Sequence, residues 1–489
     1  MATTIWPSIA AAVANSPQTA TNGMPWDPSS LLLSRFTFGP DPVSRQDLAT
    51  LGYDGWWAKQ LAAPTGYAAH PGVAGQGTLL GKSPKDVRAW MKANGNEYGW
   101  DLMNQVTEVT LGLQCWSPAQ LYEMTVDFFA NHLNVANHTD AVWTCRHTMD
   151  RDVIRPNAFG KFSTMLLASA KNPAMLEYLS LADSTKTAVN ENYGRELLEL
   201  HTVGLGNYTE NDVKNSAKIL TGRTNNADFA YVYDPNRHWT GPITVMGFSH
   251  ANDSAAGGEA AGDAYLTYLA KHPKTAARLA QKLCVRFVSD NPTPGLVAAV
   301  AQAYLDNDTQ IVPMLSTIVR SAEFWTSRGA KVRRPLENLM ATIRVFGYGV
   351  GDLTKTLPDL HWMSQTVGQV PLDWTAPNGY PDVATAWRSS SSLIWLWEYH
   401  RGFAQSWWDG FAQIDLTALY PSPAPATSGA AITALCTKLT GAPLPATHQA
   451  ALQQFLNEPA STPMAKSQLR WYLSHLVPLI LDSPQFALR

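Results

Sequence analysis

Positive charge is missing where an export signal would need it: no Lys or Arg precedes Arg35. The opening MATTIWPSIAAAVANSPQTATNG therefore lacks both the basic region and the long apolar core of a secretory signal. As written, the chain is expected to be cytoplasmic, or exported if a signal has been removed from it. No apolar run approaches the roughly 20 residues that cross a bilayer, so no membrane span is expected. Lys/Arg-rich runs are absent as well. The 36 basic and 39 acidic residues leave a net charge of -3 on 489 residues, which argues against nucleic acid as a partner.

Cysteine chemistry is equally thin. Cys115, Cys145, Cys284 and Cys436 form no C-x-x-C pair, so zinc-finger and thioredoxin readings fail. Four buried thiols are expected. A Cys115–Cys145 disulfide is the alternative for an exported chain. Phosphate-cradling loops are lacking: GPDP and GLGNY are not P-loops, and no G-x-G-x-x-G follows a strand. GFSHANDSAAGG is not a nucleophile elbow. No nucleotide cofactor is expected.

What is present is mostly helix, at 45% hydrophobic residues, a globular composition. In SPAQLYEMTVDFFANHL (117–133) apolar residues recur every three or four positions after a Ser–Pro start. NAFGKFSTMLLASAKNPAMLEYLSL reads as two helices split at Asn172–Pro173. TENDVKNSAKILTG opens with Thr209, has Asp212 three positions on, and closes at Gly222. Two stretches break the pattern. Residues 229–248 read as two β-rich runs around an Asp-Pro-Asn turn, a small hairpin. Residues 366–382, TVGQVPLDWTAPNGYPD, read as an ordered loop rich in Pro and Gly. The expected architecture is mostly α: one large helical domain with a small β-hairpin insertion and long ordered loops. Its parts are an N-terminal extension (1–30), the main domain (31–418), a Pro/Ala-rich linker (419–431) and C-terminal helices packed on the main body (432–489).

In a chain that is only 15% charged, NENYGRELLELHTVG (190–204) holds three glutamates, an arginine and a histidine. On a regular helix, with Glu191 at zero, Arg195 lies at about 40°, Glu199 at about 80°, Glu196 at about 140° and His201 at about 280°. Glu191, Arg195, Glu196 and Glu199 then share one face, with i,i+4 pairs from Arg195 to Glu191 and to Glu199. His201 falls on the far side. A solvated stripe, a buried structural network and a functional cleft all fit this pattern.

Several blocks resemble one family. LLLSRFTFGPDP with LGYDGWWAKQLAAP, FFANHLNV, DRDVIRPNAFGKF, NENYGRELLELHTVG, KVRRPLENLMATIRVFG and the VGQVP…PNGYPD loop follow in order the blocks of domain-of-unknown-function family 1800, over roughly residues 31 to 410. The resemblance implies a bacterial protein and supplies no settled activity. It also implies an export signal, which is not seen here, and an Asp where RHWTG has Trp239.

His132, His201 and His238 lie in blocks that match the family, and His138 and His147 are close by. Neutral imidazole and carboxylate together ligate Zn, Fe, Mn or Cu. The expected site lies between the 117–133 helix, the 190–203 helix and the 229–248 hairpin. It is favoured as metal-dependent, an oxidoreductase or hydrolase holding one transition-metal ion on His132, His238 and Glu199. Glu191, Arg195, Glu196 and Glu199 are its candidate catalytic residues. His201, Trp239 and Trp143 are its candidate substrate contacts. One alternative is a metal-free acid–base hydrolase or lyase on a glycan-like small molecule, with glutamates as acid and base and some of the 18 tryptophans as stacking platforms. Another is a non-catalytic scaffold with a buried charge network. Tryptophans at helical spacing, as in WLWEYHRGFAQSWW (395–408), are expected in the core.

Overall fold

In the computed structural model of the protein, residues 8–16, 27–139, 142–465 and 468–489 are described. Helix dominates, and one apolar core runs from Ile9 to Phe486. Prolines mark helix starts rather than breaks. Asp27, Asp41, Ser83, Asn172 and Thr293 each cap a helix whose first residue is proline. The cap side chain accepts from an orphan backbone N–H, and proline has no N–H to leave unpaired there. The split at Asn172–Pro173 follows from this, with helices Phe162–Ser169 and Pro173–Tyr178 on either side. Thr209 and Asp212 form a full capping box on Glu210–Leu220.

Two helices sit at the centre. Every residue of Pro335–Phe346 is buried, including Glu337, Asn338 and Arg344. Gln120–His132 is buried at all but two of its positions. A helix covered on all sides has no solvent face on which to place charge. Polar residues on these two helices must therefore find partners inside the protein. A smaller apolar cluster forms separately, around Val73, Leu80, Val106 and Leu113.

The β structure differs from the single hairpin read from 229–248. β1 (Arg223–Asn225) pairs antiparallel with β2 (Tyr231–Tyr233), and β3 (Ile243–Val245) with β4 (Phe248–His250). The two β-rich runs thus belong to different hairpins. Each turns at its own signal, Met246–Gly247 with positive φ at both residues in the second case. Asp-Pro-Asn-Arg forms a 3-10 turn between them.

At the ends, Ile9–Ala14 is a helix whose first amide donates to Asp54 at 2.8 Å, which ties the described part of the extension to the main body. Residues 1–7 and 17–26 of that extension lie outside the described residues. The Pro/Ala stretch becomes helical at Ser428, capped by Thr427, and Leu435, Leu473 and Leu476 after it join the main core. All four cysteines are free and buried, so the Cys115–Cys145 alternative is not formed. No helix among the described residues is long and apolar enough to cross a membrane.

Candidate functional site

The Pro/Gly-rich loop builds the wall of a cavity. A space of about 390 Å³ lies between Gln120–His132, Pro273–Phe287 and residues 374–382. Phe128, Asn131, Arg278, Lys282, Trp374 and Tyr380 are among its lining residues. The loop is tied down by two amides of the FFANHLN block. Asn131 donates to Tyr380 O at 2.7 Å and accepts from Tyr380 N at 2.6 Å. Asn134 donates to the carbonyls of Trp374 and Ala376, both at 2.8 Å. Gly379 is required here: its φ is +70°, and a Cβ would lie 2.1 Å from Asn131 O.

Lys282 lines this cavity beside a buried histidine. Its Nζ lies 3.0 Å from His132 Nδ1. On the other side of that ring, His132 Nε2 lies 3.0 Å from His201 O. A carbonyl only accepts, so Nε2 carries the proton and Nδ1 accepts from lysine. Burial, with Lys282 next in effect, holds His132 far below its ordinary pKa, so the ring is neutral. Burial, and then Arg278, push Lys282 down to about 8. Arg278 donates to Leu200 O at 3.1 Å, which joins this helix to the charged segment. Among the described residues no carboxylate lies within ion-pair distance of Lys282 or Arg278.

One helical turn away the charges are matched. Arg286 contacts Glu337 closely, Asp127 at 3.0 Å and Asp382 at 3.1 Å. Arg334 reaches Asp127 at 2.7 Å and Glu337 at 3.1 Å. Glu337 is held well below the carboxylate range by Arg286, Arg489 and Arg334, which together outweigh its burial.

The charged segment is not a regular helix. Asn192–Glu196 is α-helical, but Leu197–His201 is π-helical. A wider turn rotates each residue by less than 100°, so the angles assigned beyond Glu196 do not hold. Arg195 pairs outward with Glu210, at 2.8 and 2.7 Å, and more loosely with Glu191 at 3.6 Å. It does not pair with Glu199, which instead accepts from Tyr208 at 2.6 Å. Glu191 and Arg195 thus form a solvated outer stripe. Glu196 is half-buried, its pKa raised by burial and then by Glu199.

The expected ligand set is not brought together. His132 engages Lys282 and His201 O through its two nitrogens. His238 faces Thr221 O at 2.8 Å and Asn252 Oδ1 at 2.9 Å. Glu199 is with Tyr208. No three His, Cys, Asp or Glu side chains gather as metal ligands among the described residues. His201 is fully buried behind His132, with ring centroids 6.4 Å apart, and neither of its ring nitrogens has a hydrogen-bond partner. Trp239 lies under Lys218, 4.8 Å from Nζ to the ring, and Trp143 packs on Tyr98. Neither tryptophan lines the cavity.

Lys282, Arg278, Trp374 and Tyr380 escaped the sequence reading. A signal for the first two was present: Arg278, Lys282 and Arg286 recur at i,i+4 in one helix. Like charges at that spacing are unfavourable unless something else uses them.

Residues 31–488 match the family described as protein of unknown function (DUF1800), and the chain belongs to that family. Nothing among curated proteins or solved structures matches the chain.

Proposed function

We propose that the chain is a metal-free acid–base enzyme acting on a small anionic molecule of glycan type, with Lys282 as the base. One observation carries the reading: Arg278 and Lys282 line one cavity with no carboxylate paired to either. Two neighbouring cations left unpaired favour an anionic group on the ligand. With a pKa of about 8, Lys282 is poised to gain and lose a proton near neutral pH. When it is neutral, one N–H still bonds to His132 Nδ1, which leaves the lone pair for substrate. Arg278 holds the substrate carboxylate, Lys282 removes the proton on the carbon beside it, the C=C bond forms as the β C–O bond breaks, and the lysine ammonium passes that proton to the departing oxygen. Trp374 and Tyr380, with ring centroids 5.0 Å apart, offer apolar faces to a sugar ring.

The test is a panel of uronic-acid oligosaccharides against their neutral counterparts. Binding is followed by calorimetry, and elimination by ultraviolet absorbance of the unsaturated product. Acid-selective binding, lost in Lys282→Met with the fold intact by circular dichroism, is the expected result. Equal binding of neutral sugars, or unchanged binding by Lys282→Met, would sink the reading.

A further inference from the structure

An amine that attacks a carbonyl carbon needs a free lone pair, no carboxylate clamping its ammonium form, and a group that seats the substrate. Lys282 meets these needs at the cavity wall. Its Nζ is 3.0 Å from His132 Nδ1, on a ring that is neutral and accepts. A neutral amine has two N–H groups, so one serves His132 and the lone pair stays open. The nearby carboxylates are engaged elsewhere. Asp382, which lines the same space, lies 3.1 Å from Arg286 and 3.7 Å from Arg334. Glu199 accepts from Tyr208 at 2.6 Å. Arg278 stands one turn before Lys282 on the same helix, and both line the cavity. Side chains at that spacing are neighbours.

The surroundings suit the same chemistry. Phe128 and Val285 are apolar walls of the space, and a desolvated lysine beside a second cation is an activated one. With Lys282 brought to about 8, about a tenth of it is free amine at pH 7, against less than about a thousandth for a lysine at the ordinary value of about 10.4.

We propose that Lys282 is also a nucleophile, and that the cavity captures a 2-oxo acid as a protonated imine on Nζ with the acid's carboxylate on Arg278. A ketone next to a carboxylate is a compact group that meets both side chains. The Lys282 ammonium first releases one proton to water. Its lone pair then forms a C–N bond to the ketone carbon, and the carbonyl π pair moves to oxygen. That oxygen takes one proton from the nitrogen and one from water, and departs as water while the C=N bond forms. One ammonium and one ketone thus give one protonated imine and one water, with no oxidant or reductant. The inference shares with the proposed function the carboxylate seat at Arg278, and it requires neither a sugar nor an elimination.

The experiment treats the full chain at pH 7 with pyruvate and sodium cyanoborohydride, which reduces imines and spares ketones, and maps the adduct by peptide mass spectrometry. Acetone at equal concentration is the neutral comparison. One adduct per chain, on Lys282, is expected under conditions that leave the exposed Lys59, Lys85 and Lys355 unmodified. Acetone should label Lys282 about 10-fold less, and Arg278→Met should lower pyruvate labelling by about the same factor. Labelling of Lys282 no faster than of the exposed lysines, or equal labelling by pyruvate and acetone in the wild-type chain, would overturn the proposal. Failed trapping with acid-selective binding intact leaves Lys282 a base and removes only the nucleophile. Trapping without uronate binding does the reverse.

Discussion

Arg286 and Lys282 stand one turn apart on the same helix and face opposite situations. Arg286 is fully buried and meets three carboxylates from three separate segments. Lys282 meets an imidazole and a neighbouring guanidinium, beside open space. The two systems share their framework. Asp127 and His132 come from one helix, and Asp382 both lines the cavity and closes the network. Matched charge fixes the fold here, and the charge a turn away, unmatched, is what the proposed function assigns to a ligand. A buried ion pair is weak evidence for function, whereas an unpaired cation at a cavity wall is a stronger one.

Breaking the matched side should have the largest effect. Glu337→Gln leaves Arg286, Arg334 and Arg489 without their shared carboxylate and is expected to cost about 3–5 kcal/mol in denaturant unfolding. The same carboxylate sets an acid limit. Its folded pKa is depressed, so its contribution is present above the ordinary glutamate value of about 4.3 and is lost as pH falls below it. Acid unfolding of Glu337→Gln should therefore be less steep in that range.

On the unmatched side, Lys282→Met should abolish acid binding while the fold persists. The lysine holds its proton less tightly when folded, at about 8, than when unfolded, at about 10.4. Wild-type stability relative to Lys282→Met should then rise between those pH values. A flat difference across that window would show that Lys282 is not perturbed. A smaller shift is expected for Arg278→Met: with the repelling guanidinium gone, the pH midpoint for labelling Lys282 with an amine reagent should move upward. The smallest effect belongs to Arg195→Ala. Its partners Glu191 and Glu210 are partly exposed, so neither the unfolding midpoint nor ligand binding should move measurably.

The helical architecture was legible because helix starts are written locally. Asn172–Pro173 and the Thr209–Asp212 box are each readable within four residues. The 366–382 loop was legible as a loop, though not as a cavity wall, because its anchors Asn131 and Asn134 lie some 240 residues earlier. The charge density of residues 190–204 is legible in the sequence, but the turn geometry beyond Glu196 is not. A π-turn has no strong local signature, so Leu197–His201 was read as regular helix. The π-turn also places His201 O, a backbone atom that orients His132, where a regular helix would not show it. Strand pairing was misread for a related reason: the turn at Met246–Gly247 decides the partner of Ile243–Val245, and proximity to the Asp-Pro-Asn turn does not.

The four side-chain hydrogen bonds between Asn131 or Asn134 and residues 374–380 have a kinetic consequence. They immobilise the cavity rim when the chain folds, before any ligand arrives. Association then needs no ordering step, and little conformational entropy remains to be lost on capture. Encounter rates should follow ionic strength, as expected for an anion steered toward two half-buried cations, and not solvent viscosity or lid motion. Differences among ligands should accordingly be expressed in how slowly each one leaves.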